Sequence, residues 1–263
     1  MAAAVDEHLR SIAENANTHQ PLAPGHERII TEGFILWMGI RSEPAWNVVQ
    51  RLRLRADTID PAIEQVHAIL AARGRTECSW EVGSSATPDG LVEELRRRGM
   101  VDDDDPDVIG MVLREQPPPV AGVEARPIAS FEEFREATAV AFAAFGSLPP
   151  TDEARERARY EEEMSAGLHR TFVAVMDGRI VGAGTATYLD RAVTLNGGSV
   201  APDARGRGAY RALLQARVHE ARRLGLEAVG LYARVATSWP IVTRLGFETH
   251  GAMAYWDRPA PTR

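Results

Sequence analysis

The chain has 263 residues and a formal net charge of −7, with 44% hydrophobic and 25% charged residues. This length fits one large or two smaller domains, and the composition excludes a wholly disordered or collagen-like chain. All 30 basic residues are arginine, which excludes Schiff-base chemistry and a lysine-containing P-loop. The negative charge argues against a dedicated nucleic-acid binder, because phosphate neutralisation dominates that affinity.

The chain has one cysteine, Cys78, so an intramolecular disulfide is excluded. Its apolar neighbours predict a buried structural thiol rather than a nucleophile. No basic and apolar leader begins the chain, and no window reaches the ~18 apolar residues of a membrane span. We therefore expect a cytoplasmic protein without a membrane partner. The histidines lack metal-binding spacing, so we expect no metal site.

Three prolines at 117–119 predict an extended linker, because they remove three backbone donors. We place the first lobe at residues 1–115, the linker at 116–121 and the second lobe at 122–263. Apolar periodicity and glycine stops predict the elements of the first lobe. These are strands at 34–40, 47–54, 77–82 and 108–113, and helices at 61–73 and 88–98.

The second lobe is predicted as strand, helix, helix, three strands, helix, strand, helix, strand. The strands are 123–128, 172–176, 180–188, 192–200, 228–233 and 247–256, and the helices are 131–145, 151–166, one ending at 224, and 240–245. We expect Thr151 to cap its helix and Asp177-Gly178 to form a hairpin. The fold class is α/β, with a mixed sheet flanked by helices. The first lobe follows the second half of this order, which favours a tandem duplication with a decayed first copy.

The segment from Val200 to Leu214 carries the strongest chemical signal, because a strand ends, a glycine-rich turn follows and a helix begins. Glycines allow close backbone approach, and the first amides of a helix lack internal partners and lie at its positive end. Such a turn suits phosphate or pyrophosphate, and Arg205 and Arg207 add guanidinium donors. A Rossmann site is disfavoured, because Arg211 stands where its third glycine belongs and the turn lies late in the chain.

These residues resemble the GNAT superfamily of acyl-CoA-dependent N-acetyltransferases, whose signature is [R/Q]-x-x-G-x-[G/A] between a strand and a helix. Arg205-Gly206-Arg207-Gly208-Ala209 fills its first five places. The element order over residues 123–256 and the closing Leu245-Gly246-Phe247 agree, so the resemblance covers about half the chain. It implies a mostly antiparallel GNAT-type sheet, and the first lobe is then a degenerate, GNAT-like copy.

The resemblance also implies acetyl-CoA as cosubstrate. Its pantetheine arm would lie where residues 196–200 and 228–232 diverge, beside a bulge at Asn196-Gly197-Gly198. The implied cofactor-binding residues are Ser199, Val200, Arg205, Gly206, Arg207, Gly208, Ala209 and Tyr210. The pyrophosphate would lie on the amides from Gly206 to Tyr210, and an amide near Ser199 or Val200 would polarise the thioester carbonyl.

The chain departs from the family at several places. Tyr210 replaces the sixth signature residue, so a phenol stands at the helix entrance and would stack beside the cofactor or shift it. Val242 stands where many members have the tyrosine that protonates the departing thiolate, and the strand before the turn has no carboxylate to act as a base. Our candidates for the acid are Tyr232 first and Tyr188 second.

The sequence therefore predicts an N-acetyltransferase that moves an acetyl group from acetyl-CoA to an amine by direct attack in a ternary complex. The acceptor is a small-molecule or peptide amine, and the acidic balance favours a cationic one. A non-catalytic acyl-CoA-binding or sensory module is the alternative, because the usual acid and base are missing. The first lobe lacks an equivalent glycine turn, so we expect one cofactor site. The oligomeric state stays open, with a homodimer among the options.

Overall fold

The computed structural model describes the backbone of residues 2–102, 108–113, 115, 117, 118 and 120–257; Gln116 and Pro119 of the predicted linker lie outside this range. The chain divides into two compact units. The first unit is Met1–Val112 with Tyr232–Arg263, and the second unit is Leu113–Leu231. The predicted boundaries at 115 and 122 stay a prediction, since they divide the chain by its sequence and not by its contacts.

Both units contain helices and strands, as the α/β prediction requires. Before the linker they are α1 (Ala2–Glu14), β1 (Glu27–Ile30), β2 (Ile35–Met38), β3 (Asn47–Gln50), α2 (Ile59–Ala71), β4 (Ser79–Val82), α3 (Leu91–Arg97), β5 (Val101–Asp102) and β6 (Val108–Leu113). After it they are β7 (Glu124–Pro127), α4 (Phe131–Ala144), α5 (Glu153–Ala166), β8 (His169–Met176), β9 (Arg179–Tyr188), β10 (Ala192–Val200), α6 (Ala209–Arg223), β11 (Ala228–Arg234), α7 (Trp239–Thr243) and β12 (Glu248–Asp257).

The sheet of the first unit begins with the antiparallel strands β1, β2 and β3, and β4 is parallel to β3 with α2 in the crossover. Apolar side chains of α2 pack against these strands, around the fully buried Trp80. Cys78 is buried in the same core, as predicted. The order is that of β8, β9, β10, α6 and β11 in the second unit. This repeated order is what a duplicated lobe requires.

The last strand corrects one expectation. Residues 247–256 were expected to complete the second lobe, but β12 pairs antiparallel with β4, β5 and β6, which all precede the linker. Local sequence predicts that a segment is a strand, whereas its partners depend on tertiary packing. The strand was therefore predictable and its neighbours were not.

The sheet of the second unit has the order β11-β10-β9-β8-β7, with only β10 and β11 parallel. Successive strand residues face opposite sides of a sheet. Ala183 packs with Phe134 of α4, whereas a side chain on the adjacent Gly182 would meet Leu213 of α6. Helices α4 and α6 therefore cover opposite faces of this sheet, which confirms the predicted mixed sheet flanked by helices.

The cap of α5 differs from the prediction by one residue. Asp152 is the N-cap, and its Oδ1 accepts a hydrogen bond of 3.0 Å from the amide of Arg155. Thr151 lies one residue too early to reach that amide. The predicted end of the helix at residue 166 and the hairpin between β8 and β9 are confirmed.

Two features of the described residues bear on membrane and metal partners. Within that part of the chain, no helix has the length and apolar content needed to cross a membrane. The same residues contain no group of three or more acidic, histidine or cysteine side chains arranged to hold a metal ion.

Candidate functional site

The predicted strand, glycine turn and helix are present in the second unit. Strand β10 ends at Val200, and α6 begins at Ala209 after a turn in which Gly206 and Gly208 have φ angles of +75° and +92°. Residues with a side chain rarely adopt such angles. Gly208 is the N-cap and no side chain caps the helix, so the first amides of α6 remain available to an anion.

The two arginines of this turn have different surroundings. The Arg205 side chain donates from Nε to the carbonyl oxygen of Val200 at 3.2 Å, which ties the turn to the end of β10. Arg207 lies 3.6 Å from the carboxylate of Asp177, and these two side chains are 51% and 88% exposed. Exposed ion pairs contribute little free energy. Arg207 can therefore exchange Asp177 for a phosphate at small cost.

Strand β10 contains the predicted bulge. Asn196 pairs with Thr185 on β9, and the register resumes at Ser199 with Ala183, so β10 has one extra residue there. The Ser199 hydroxyl donates to the Ala183 carbonyl at 3.2 Å. A bulge redirects backbone amides away from the regular ladder. The bulge lies in the strand that enters the glycine turn.

The parallel register of β10 with β11 is short. It runs from Ala192 with Ala228 to Leu195 with Leu231, although β10 continues to Val200. The divergence implied by the family resemblance therefore lies beyond Leu195. Residues 228–231, which were expected to take part in it, belong to the paired stretch.

A buried guanidinium lies beneath the bulge. Arg217 of α6 is only 2% exposed. Its Nη1 donates to the carbonyl oxygens of Thr185 and Asn196 at 3.2 and 3.3 Å, and its Nε donates to that of Leu213 at 3.1 Å. Burial lowers the pKa of Arg217 to about 10, so the side chain is still a cation at neutral pH.

Tyr210 lies beside Arg217 on the same face of α6. A Cβ on Gly198 would stand 2.8 Å from the ring carbon Cε2 of Tyr210 and 3.4 Å from Nη2 of Arg217. The phenol is therefore turned against the bulged strand, and burial raises its pKa. Glycine at 198 is required by the close approach of these two side chains.

A cavity of about 360 Å³ opens on the α4 side of the bulge. Small residues of β9 and Gly197 of the bulge form one wall, and aromatic residues of α4 and the following loop form another. These aromatic residues are Phe134, Phe142 and Phe145. The one charged side chain lining it is Arg159, whose guanidinium lies 5.6 Å from the centroid of the Phe134 ring. The cavity has the size and apolar character of small-molecule pockets.

Tyr188, the second candidate acid, is not brought to the glycine turn. It ends β9, and its charged neighbours are Glu220 and Arg170. Burial, followed by the charge of Glu220, raises the pKa of its phenol. Glu220 lies about 16 Å along α6 from Ala209, at a rise of about 1.5 Å per residue. Tyr188 therefore lies near the end of α6 that is remote from the glycine turn, and its role as an acid stays a prediction.

Tyr232, the first candidate acid, follows Leu231, the last residue of the parallel register. Its hydroxyl accepts a hydrogen bond of 3.2 Å from the amide of Ala16 in the first unit. Burial, followed by the charge of Glu81, raises its pKa well above the usual value. The phenol therefore keeps its proton at neutral pH, which a proton donor needs.

The sequence interpretation missed two groups, Arg217 and Glu81. Arg217 interrupts the apolar stripe of α6, and a charge inside such a stripe is a signal that was available. Glu81 is buried on β4 and accepts a short hydrogen bond from Gln50. Nothing in the local pattern of β4 separates a buried glutamate from a solvated one.

Comparisons with known proteins identify the family and the fold to which the chain is similar. Residues 131–247, somewhat under half of the chain, match the model of the Acetyltransferase (GNAT) family. The fold is similar to that of a GCN5-related N-acetyltransferase from Kribbella flavida, with a TM-score of 0.70 at 17% identity over 98% of this chain and 96% of that one. The search of curated proteins found no match.

Two further solved structures are similar over nearly the whole chain. A tandem GNAT protein from the clavulanic acid biosynthesis pathway has a TM-score of 0.63 at 18% identity, covering 98% of this chain and 95% of that one. A GCN5-related N-acetyltransferase from Sphaerobacter thermophilus has a TM-score of 0.63 at 17% identity, covering 97% and 92%. The chain therefore has a GNAT acetyltransferase domain at residues 131–247, and the fold that it shares with these solved structures extends over its N-terminal lobe.

Proposed function

We propose that the protein is an N-acetyltransferase that transfers the acetyl group of acetyl-CoA to an amine by direct attack in a ternary complex. The observation that carries this proposal is the bulged strand β10 leading into an uncapped glycine turn within a GNAT domain. The bulge offers redirected amides for a thioester carbonyl, and the turn offers amides for a pyrophosphate.

The cofactor is held, in this proposal, by backbone amides and two arginines. The pyrophosphate lies on the amides of the turn, with Arg205 and Arg207 as charged donors. Ser199 and Val200 border the pantetheine arm. The residues whose amides form the phosphate cradle are Gly206, Arg207, Gly208, Ala209 and Tyr210. No metal is needed, because these donors compensate the charge of the pyrophosphate.

The reaction requires little chemistry from the protein. The amine nitrogen attacks the thioester carbonyl carbon, the C–S bond breaks, the nitrogen loses a proton and the CoA thiolate gains one. Holding an activated thioester beside an amine lowers the activation free energy by up to about 7–11 kcal/mol in ideal cases. A bulge amide that donates to the developing oxyanion adds to this. The single buried cysteine fits a reducing compartment, so we place the reaction in the cytoplasm.

We propose Tyr232 as the group that protonates the departing thiolate. Tyr232→Phe is expected to lower kcat about 100-fold, the lower range for loss of a general acid, because phenylalanine has no proton to give. Tyr188→Phe is expected to leave kcat within about twofold. Both are measured by CoA release, with acetyl-CoA affinity as the control for folding. Equal kcat values for the two variants would remove Tyr232 from the mechanism.

We propose the cavity beside Gly197 as the binding place of the acceptor amine. Ala141 lines this cavity, and Ala141→Phe adds a ring to about 360 Å³ of space. The variant is expected to raise KM for the acceptor at least tenfold, about 1.4 kcal/mol of lost binding, while the Kd of acetyl-CoA is unchanged. An unchanged KM would show that the acceptor binds elsewhere.

A non-catalytic acyl-CoA-binding module is the alternative. It is favoured by Val242, which stands at the family's usual acid position and is fully buried, so no side chain replaces the acid there. The alternative predicts acyl-CoA binding without turnover.

Two measurements on the whole chain test the proposed function. Acetyl-CoA is titrated calorimetrically into the folded protein, and thiol release is then followed with a panel of primary amines that includes polyamines, amino acids and peptide N-termini. Binding and amine-dependent CoA release support the enzyme. Binding with no release from any amine favours the module. A folded protein that does not bind acetyl-CoA contradicts both.

A further inference from the structure

The second unit buries a whole guanidinium without an acidic partner. Arg217 is 2% exposed, and no carboxylate among the described residues influences its pKa; the one titratable group that does is the phenol of Tyr210, which is neutral at neutral pH. A buried cation without a counter-ion is costly, so such residues are rare unless several hydrogen bonds hold them. Here backbone carbonyls replace the missing carboxylate.

Those carbonyls are placed at the start of the bulge. Asn196 and Thr185 form the last regular pair of β10 and β9 before the extra residue. Nη1 of Arg217 donates to both of their carbonyl oxygens, at 3.3 and 3.2 Å. One guanidinium nitrogen therefore bridges the two strands where the ladder is interrupted.

The contact between Arg217 and the Asn196 carbonyl also affects the amide on the opposite side of the same peptide unit. A trans peptide is planar, so its N–H and C=O point in opposite directions. The carbonyl of Asn196 accepts from Arg217, and the N–H of the same peptide unit, which belongs to Gly197, points away from α6. Gly197 lines the cavity on the α4 side. Donation from a cation to the carbonyl polarises the peptide and strengthens its N–H as a donor.

The residues around Arg217 leave space for its guanidinium and exclude water from it. A Cβ on Gly184 would stand 2.8 Å from Nη1 of Arg217, and one on Gly198 would stand 2.8 Å from the Tyr210 ring. Both strands therefore have glycine where the guanidinium and the phenol pack. Tyr210, which departs from the family signature, lies seven residues, about two helical turns, before Arg217 and packs against the same stretch of β10.

We propose that Arg217 is a positioning residue for acetyl transfer. Its buried charge supports the bulge from the α6 side and polarises the bulge amides, including that of Gly197, which donate hydrogen bonds to the thioester oxygen. This inference rests on the proposed function, since it assigns the bulge amides to the acetyl carbonyl. It gives the side chain of Tyr210 the role of shielding the guanidinium from water rather than of stacking beside the cofactor, whereas the Tyr210 amide stays part of the phosphate cradle.

The test compares a variant that keeps the positive charge at position 217 with a variant that removes it. The protein is prepared as wild type, Arg217→Met and Arg217→Lys, with Arg222→Met as the matched control. Arg222 is also on α6 and donates to carbonyl oxygens, those of Leu226, Glu227 and Leu113, but it lies at the C-terminal end of the helix and does not contact the bulge in these hydrogen bonds. Each protein is titrated with CoA and with acetyl-CoA. The carbonyl stretch of acetyl-CoA labelled with carbon-13 at the thioester is then recorded in the bound state by difference infrared spectroscopy.

Wild type and Arg222→Met are expected to shift the bound carbonyl to lower frequency, which reports polarisation. Arg217→Met is expected to lose more than half of this shift while its Kd for CoA stays within about threefold of wild type, because CoA has no acetyl carbonyl. Arg217→Lys is expected to keep an intermediate shift. If Arg217→Met does not fold, Arg217→Gln against Arg217→Lys makes the same comparison.

An unchanged carbonyl frequency in the charge-removed variant overturns the proposal. Equal losses of CoA and acetyl-CoA affinity without a frequency change assign Arg217 a structural role only. Failure of wild type to bind acetyl-CoA contradicts the proposed function instead, so the two failures are distinguishable.

Discussion

Replacing Arg207 with glutamate is expected to weaken acetyl-CoA binding by about tenfold to a hundredfold, measured by calorimetric titration. Hydrogen bonds to charged groups contribute about 1.5–3 kcal/mol, and each 1.4 kcal/mol is a factor of ten in Kd. The variant removes a guanidinium donor and adds a carboxylate that repels the pyrophosphate. Because the site is exposed, the difference from wild type is expected to shrink as salt is raised.

Arg191→Glu is the matched control for this variant. Arg191 pairs with Glu227, and these side chains are 58% and 60% exposed, so both substitutions break a surface ion pair and place two carboxylates together. Arg191 precedes β10, at the end remote from the glycine turn. We expect its Kd for acetyl-CoA to equal that of wild type. Equal affinities for both variants would show that the turn does not bind the pyrophosphate.

Gly208→Glu would test pyrophosphate binding less specifically than Arg207→Glu does. Gly208 has a φ of +92°, and a Cβ there would stand 2.9 Å from Cγ1 of Val120. Loss of binding in that variant would combine backbone strain, a clash and charge repulsion. Arg207 is exposed, so Arg207→Glu changes the charge of the turn without the backbone strain and the clash that Gly208→Glu would add.

The second large effect concerns Glu81 and the pH dependence of stability. Burial raises the pKa of Glu81 from 4.5 to about 7, so the folded protein holds this proton more tightly than the unfolded chain. The resulting stabilisation is complete below about pH 4.5 and is lost as the pH rises through about 7. At about 1.36 kcal/mol per pKa unit, the loss approaches about 3 kcal/mol.

Glu81→Gln is expected to remove this loss, because the amide has no charge to bury. The free energy of unfolding is measured by urea denaturation at pH 5 and pH 8 for wild type, Glu81→Gln and Glu64→Gln. Glu64 is exposed on α2 and serves as the control, with a pH dependence like that of wild type. An identical pH dependence in all three proteins would show that Glu81 does not titrate in this range.

The sequence predicted the glycine turn and its flanking elements well. Strand β10 has the predicted bounds, and α6 ends one residue before the predicted end. Glycines and an alternating apolar pattern mark these boundaries locally. Helix α1 was not predicted, although Leu9, Ile12 and Ala13 lie at helical spacing and are buried. Strand β1 was not predicted because its residues are exposed or half-buried and show no clear alternation.

The candidate site was predictable only as far as its backbone. The bulge followed from Asn196-Gly197-Gly198, whose glycines permit the distortion. The contact of Arg217 with that bulge did not follow, since it depends on how α6 packs over β9 and β10. Charged side chains are rarely fully buried, so an arginine in an apolar stripe is easily assigned to solvent.

The pairing of β12 also constrains when the chain can fold. Ala254 pairs with Val82, and Met253 with Val108, so two strands made early in synthesis acquire a shared neighbour only when residues 248–257 have been made. Loop closure over such long separations slows folding. Until then, the edges of β4 and β6 lack this partner, and unpaired strand edges are templates for aggregation. The sheet of the first unit therefore cannot be completed until residues 248–257 have been synthesised.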